Sequence, residues 1–440
     1  MTVRTTSAEG SASSAKISLF QKSGMSKEEW DAAVKFDSTD WGWVIMSIGM
    51  AIGAGIVFLP VKVGLVGLWI FLASAIIGYP VMYMFQKLFI NTLASSSKCE
   101  DYPSVISEYL GKNWGVFLGF LYFAMIVIAV FMYATALTND SASFLHSFGV
   151  TESVLSVNPL YGLAVVCIVV ALASRGEKFL FKISTGMVLI KLASVAILGF
   201  VMIPHWEVKN IGELPSFDYL LKETIAMLPF TMTSILFIQT LSPMVISYRS
   251  HNKSIDVAWY KSLRAMNIAF WVLFITVFFY AVSFTLAMGH DRAVIAAEEN
   301  ISALAMAGQG MSGTTLKFLS LTLNIFAVMT AFFGVFLGFQ ESCRGIAMNV
   351  LKRFISENKI NKNIVSKSII IFAVLVSWGS IVLNFPILKM LSYYGPITGF
   401  IGCLIPAYLV YKVPFLHKFK GMYLLLIILT GVLLVISPFI

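Results

Sequence analysis

Charge is what this sequence has least of. Asp, Glu, Lys and Arg make up 12% of its 440 residues, against about 25% in soluble proteins. With 58% apolar side chains and a mean hydropathy of +0.85, the chain is expected to have lipid as its main solvent. Cysteine is sparser still, at four residues. Cys99, Cys167, Cys343 and Cys403 are scattered with no CxxC spacing, which argues against a disulfide framework or a thiolate metal site. The five histidines, at 146, 205, 251, 290 and 417, fall in loops or at the ends of apolar runs. No acidic residue falls in the middle of a run, so a catalytic constellation at one membrane depth is not expected and an enzyme is disfavoured. Nothing before Asp40 resembles an apolar core followed by a cleavage site, so the first run is expected to be the insertion signal.

What is abundant is apolar sequence. A helix of about 20 mostly apolar residues crosses the hydrocarbon core and satisfies its own backbone there. Eleven such runs are expected, at 41–61, 66–89, 115–137, 160–173, 183–203, 224–246, 266–288, 316–339, 368–383, 391–411 and 422–440. With the amino terminus in the cytoplasm, most Lys and Arg fall in inside segments, leaving Lys62, Lys209, Lys222, Arg292, Lys317 and Lys389 outside. That asymmetry is the positive-inside pattern. It accounts for the formal charge of +9 without a nucleic-acid partner, and an odd number of spans puts the carboxyl terminus outside. The tail, 1–40, is Ser-rich until Ser26-Lys27-Glu28-Glu29, whose spacing predicts a capping box and a short surface helix. Between the seventh and eighth runs, "HDRAVIAAEENISALAMAGQG" has helical spacing and predicts a cap over an outer vestibule, with a solvated loop as the alternative.

Two runs are irregular. "MSIGMAIGAGIVFLP" in the first carries Gly49, Gly53 and Gly55. Gly49 and Gly53 fit a GxxxG packing face, whereas Gly53 and Gly55 also fit a place where the backbone leaves the helix without a Cβ penalty. The sixth run, "LPFTMTSILFIQTLSP", has Pro229 and Pro243 near its ends, predicting a second break. Irregular segments at matching positions of two five-helix halves point to an inverted-repeat transporter with its site at the breaks. Amides starting the outer half-helix would face an anionic group there.

At these residues the chain resembles the hydroxy/aromatic amino acid permease family, most closely its serine/threonine permease branch, within the amino acid/polyamine/organocation superfamily. The matching stretches are "FDSTDWGWVIMSIGMAIGAGIVFLP", "CEDYPSVISEYLGKNWG", "SRGEKFLFKISTGMVL", "TSILFIQTLSPMVISYRS" and "NIFAVMTAFFGVFLGF". The resemblance implies an all-α leucine-transporter-like fold, with repeats at about 41–203 and 224–411 and an extra helix at 422–440. It also implies inward transport of a small amino acid with a proton, no other cofactor, and a bacterial inner-membrane location. The substrate carboxylate would meet Ile52, Gly53, Ala54 and Gly55. Its ammonium would lie near Thr233, Ser234 and Phe237. Gln239, Thr233 and Ser234 could bond a substrate hydroxyl, although Ser and Thr often bond back to their own helix. Tyr122 and Tyr133 could cover the substrate, with packing as the plainer role.

Lys191 is the only ionisable residue near the centre of a run. It stands about 12 Å inside by helical rise, where a charge usually faces a cavity or a partner. Its stem could instead snorkel to the surface. The resemblance places a fifth-helix lysine where a relative holds a sodium bridging helices one and eight, so Lys191 is expected near the carbonyls of residues 50–53 and the Thr330 hydroxyl. An amine there could exchange a proton as the cavity opens to each side in turn. Asn324 is read as helix glue. Glu341 with Arg344, Asp101 with Glu108, and Glu177 are read as solvated ends or gating pairs. An aromatic amino acid permease, an exchanger, or a channel or sensor on the same scaffold are the alternatives. No obligate protein partner is expected.

Overall fold

A computed structural model describes residues 23–440 apart from 97–98, 100–101, 175–176, 253, 311–313, 352–353, 355 and 357–359. Most of the tail and Asp101 therefore lie outside the described residues, as do the side chains of Glu177 and Glu341. The described residues fold into helices and connecting turns, with no strand among them.

Ser26 and Glu29 form the reciprocal capping box that starts α1, Lys27–Ala33. The helix is not loose on the surface. Trp30, 2% exposed, packs with Val34 and Val257 and meets the Tyr260 ring. A second box, Asp37 with Asp40, starts α2, Ser38–Ala51. α2 stops at Ile52, and α3, Ala54–Val66, departs at an angle of 42°. α4, Leu68–Ala94, returns the chain to the α1 end, where Trp259 donates to Asn91 at 2.7 Å and Arg249 donates to the Ala94 carbonyl. After α5, Tyr102–Leu110, the long α6, Lys112–Ser147, runs back across the bundle. α7, Pro159–Ala173, and α8, Glu177–Val201, complete the first half.

The sixth run divides in the same way. α9, Phe217–Thr233, and α10, Ile238–His251, meet at 41°. α11, Ile255–Glu298, bends at Gly289, whose φ of +71° needs glycine. Its last turns and α12, Ala303–Gly310, give the connection its helical character. There the chain returns over α3: Ala293 sits where a side chain on Gly64 would go, and the His290 Nδ1 lies 3.0 Å from the Gly64 carbonyl. α13, Thr314–Leu351, and α14, Lys362–Val382, follow. α15, Ile387–Thr398, passes through a π-helical segment, Gly399–Leu404, into α16, Ile405–Lys412, and α17, Met422–Ile436, closes the chain.

Among the described residues eight helical segments, one of them running from α15 through α16, are each long and apolar enough to cross a membrane, and two bent pairs pass the same test jointly. α7, at 15 residues, is the shorter apolar one. Outward-facing side chains are apolar to a degree water would not tolerate: Ile76 is 76% exposed, Val116 74% and Leu160 70%. Inside, α13 packs on α6 and α8, α11 on α3, and α9 on α4. Both breaks are thereby enclosed by protein, the condition for interrupted backbone at membrane depth.

Candidate functional site

The first break forms at Gly53, among the expected glycines, whereas the second does not form at the prolines. Gly53 has φ −145° and ψ −153°, an extended conformation open to any residue. Its lack of a side chain matters for space: a Cβ there would overlap the Tyr133 hydroxyl, and one on Gly55 would stand 3.1 Å from the Thr233 carbonyl oxygen. Gly49 similarly admits Val188 of α8, so the close-packing reading of these glycines also holds. In the sixth run the prolines lie inside helices, Pro229 in α9 and Pro243 in α10. The chain leaves the helix at 234–237 instead. There the Thr233 hydroxyl donates to the Pro229 carbonyl at 2.6 Å and that of Ser234 to the Thr231 carbonyl at 2.7 Å, occupying carbonyls that a continuing helix would use.

Lys191 of α8 is 0% exposed. Its Nζ donates to the Gly49 carbonyl at 3.0 Å, the Ile52 carbonyl at 2.8 Å and the Thr330 hydroxyl of α13 at 2.6 Å. Two of these acceptors are terminal carbonyls of α2, the negative end of that half-helix. The ammonium thus ties the end of α2 to α8 and α13 with three charge-assisted bonds, each worth roughly 1.5–3 kcal/mol. Among the described residues it forms no ion pair.

On the other side of the break lies a cavity of about 50 Å³. Gly55, Thr233 and Gln239 line it with Tyr133 and Tyr394 among apolar neighbours. Gln239 Nε2 donates to the Tyr394 hydroxyl at 3.2 Å, leaving the amide oxygen and the phenolic proton for another partner. α3 begins at Ala54 with no side-chain cap from Gly53. The Ile56 and Val57 amides donate to the Gly53 carbonyl at 3.0 and 3.3 Å, so it is the amides ahead of Ile56 that a helix start leaves without an intrahelical partner.

The structure thus brings Gly53, Gly55, Thr233, Gln239, Lys191 and Thr330 to the breaks. Ile52 is turned to Lys191, and the Ala54 side chain lies outside the described residues. Ser234 and Phe237, both 0% exposed, are not among the cavity's lining residues; Ser234 instead lies 3.5 Å from the Tyr79 hydroxyl. Tyr133 lines the cavity and Tyr122 does not. Sequence reasoning missed Tyr394, whose signal was a hydroxylated aromatic beside Gly395-Pro396 in the tenth run. It also missed Asp140: α6 extends ten residues past the expected end of the third run and carries that acid, 1% exposed, into the bundle. Asn324, read as glue, donates to it.

Residues 37–437 match the profile of the tryptophan/tyrosine permease family. The chain is 66% identical over 421 residues to a serine transporter of Escherichia coli O157:H7, covering 95% of each. It is 25% identical over 412 residues to a threonine/serine transporter of Yersinia enterocolitica serotype O:8 / biotype 1B, covering 87% of this chain and 91% of that one. Among solved structures it resembles a nucleobase-cation-symport-1 family transporter in a closed conformation with bromovinylhydantoin bound. The TM-score is 0.56 at 13% identity, over 91% of this chain and 90% of that one. At that identity the likeness is one of fold.

Proposed function

This chain belongs to the tryptophan/tyrosine permease family, and we propose that it imports a small hydroxy amino acid, serine and with it threonine, by proton symport through alternating access. Membership makes it a membrane permease and not an enzyme. On our reading α7 is a span, which brings the count to eleven: two inverted repeats of five, 41–203 and 224–411, and one added helix. The amino terminus faces the cytoplasm of a bacterial inner membrane and the carboxyl terminus faces outward.

The observation that carries the coupling is the set of three bonds made by Lys191. An ammonium on the Gly49 and Ile52 carbonyls holds α2 against α13. When it gives up its proton, the bonds to these acceptors weaken and α2 is free to swing. The ammonium also fills the position a bridging sodium would take, which disfavours sodium coupling. The substrate carboxylate would sit at the amides opening α3, with the α9 carbonyls near its ammonium. The Gln239–Tyr394 pair would meet its hydroxyl, a contact that discriminates because a substrate lacking it leaves buried groups unpaired.

Substrate size follows from the cavity. About 50 Å³ compares with the roughly 10–15 Å³ by the same measure that one water needs. That is room for a few waters, which supports a small substrate over one that carries an indole. The test is uptake into proteoliposomes under an imposed pH gradient, comparing serine, threonine, alanine and tryptophan with and without sodium. Serine accumulation driven by the gradient without sodium is expected. Sodium dependence at a fixed gradient, or preferred uptake of tryptophan, overturns the respective part.

A further inference from the structure

Asp140 plays no part in the substrate cavity or in the contacts of Lys191. It lies on α6 two turns before the helix ends, at the end of the bundle opposite α1. Oδ1 accepts the Ser302 amide at 2.8 Å and Oδ2 accepts Asn324 Nδ2 at 2.6 Å. The Asn324 amide also donates to the Ser302 hydroxyl oxygen at 2.7 Å. That oxygen accepts the Ala305 amide at 3.2 Å and so caps α12. One carboxyl group therefore joins α6, the leading turn of α12 and α13, the helix that also carries Thr330.

α11 contributes Tyr280, fully buried beside Asp140, with a hydroxyl that has no hydrogen-bond partner among the described residues. From α13, Ser320 sits one turn before Asn324, again buried with an unpartnered hydroxyl. α7 contributes Tyr161, which bonds Ser141, and the turn after α14 contributes Asn384, within 3.4 Å of the Asn139 amide. Glu298 and Glu299, both exposed, close α11 just before this segment. The side chain of Lys317, two turns before Asn324, lies outside the described residues. Among the described residues no Lys, Arg or His pairs with Asp140.

A carboxylate buried without a cation is costly by several kcal/mol, whereas the protonated acid carries no charge. Proton occupancy and local geometry must then depend on each other. The ionised group has acceptors for both amides and draws α12 and α13 together. The protonated group has turned one oxygen into a donor, with the Tyr280 hydroxyl as the nearby unpartnered oxygen, and holds Asn324 less firmly.

We propose that Asp140 is a second proton-exchanging site, which takes a proton from water when the α12 cap lifts and returns it when Ser302 and Asn324 close on the carboxylate. This deepens the proton-coupled reading above and adds a site distinct from Lys191.

Infrared difference spectroscopy of the purified full chain across a pH step tests it without requiring transport. The wild-type difference spectrum, to which the exposed carboxyls also contribute, should hold one carboxyl carbonyl-stretch band that is missing from the Asp140→Asn spectrum; identical spectra overturn the proposal. Uptake adds a functional reading. Asp140→Asn should keep serine counterflow without a gradient and lose at least about tenfold in gradient-driven accumulation, equal to about 1.4 kcal/mol. Accumulation with an unchanged pH profile counts against the site. Should Asp140→Asn fail to fold, Asn324→Ala keeps the acid and removes one donor; it should raise the pH of half-maximal uptake, and an unmoved midpoint overturns the proposal. A wild type with counterflow but no proton drive sinks the symport reading alone, and the infrared result still decides Asp140.

Discussion

Two buried aspartates, at opposite ends of the bundle, are solved in opposite ways. Asp40, 0% exposed at the start of α2, accepts from the Tyr248 hydroxyl at 2.7 Å and from Arg264 at 3.0 Å, with Lys261 at 3.4 Å. Lys261 also holds Asp37 at 2.7 Å, and Arg264 reaches the Val34 carbonyl at 2.5 Å. Here α1, α2, α10 and α11 are clamped by charges that neutralise one another. Asp140 has only uncharged donors among the described residues, the Ser302 amide and hydroxyl and the Asn324 amide. A charge that is matched locally fixes structure, whereas an unmatched one, like Asp140 or Lys191, ties structure to proton occupancy. The same fold thus contains both a static anchor and, on our proposal, groups that exchange protons.

The sharpest way to break this contrast is Lys191→Ala. It deletes the three bonds to α2 and α13, and gradient-driven serine accumulation should disappear while the protein still inserts. Fully proton-driven uptake by this variant would refute the assignment. Next in size is Asp40→Asn, which leaves the mostly buried Arg264 without its carboxylate and should cost about 3–5 kcal/mol, read as a large fall in melting temperature in detergent. Asp140→Asn should cost far less in the same measurement, since the isosteric amide replaces a group that is already neutral when protonated. Equal losses for the two would erase the distinction between anchor and switch.

A smaller effect is expected at the break itself. Gly53→Ala pushes a methyl into the Tyr133 hydroxyl, and overpacking of this kind costs typically about 1–3 kcal/mol. Adding Tyr133→Phe removes the oxygen in question and should restore part of the lost uptake. No recovery in the double variant would mean that the glycine is needed for its backbone and not for space.

The smallest effect lies at Asp37, whose side chain is 48% exposed. The hydrogen bond from Lys261 holds its carboxyl below the usual range. A depressed folded-state value gives stability that is present above the unfolded pKa and lost as pH falls through the folded one. Exposure and salt screening limit it to under about 1 kcal/mol. Melting temperature against pH should therefore fall slightly less on the acid side in Asp37→Asn than in wild type.

Much of this was legible in sequence because membrane helices are written in local composition: each apolar run coincides with a helix or a bent pair, and the Ser26 capping box is where its spacing puts it. The break in the first run was legible as a cluster of glycines, but the group that excludes a side chain there was not. Gly53 answers to the Tyr133 hydroxyl of α6, eighty positions away, which no local rule can report. The prolines of the sixth run were misleading for the same reason, since packing allows Pro229 and Pro243 to sit inside helices. Lys191 stood out by rarity. Asp140 did not, because its helix outruns the apolar stretch used to find it, and Tyr394 looked like any other aromatic in a span.

Composition alone determined that this chain lives in lipid, where its helices lie, and that two of them are irregular, because each of those properties depends on neighbours in sequence. Only the tertiary structure decided which charges are matched. Ionic partners here come from distant parts of the chain, and whether a buried group is an anchor or a proton site depends on what the fold places against it.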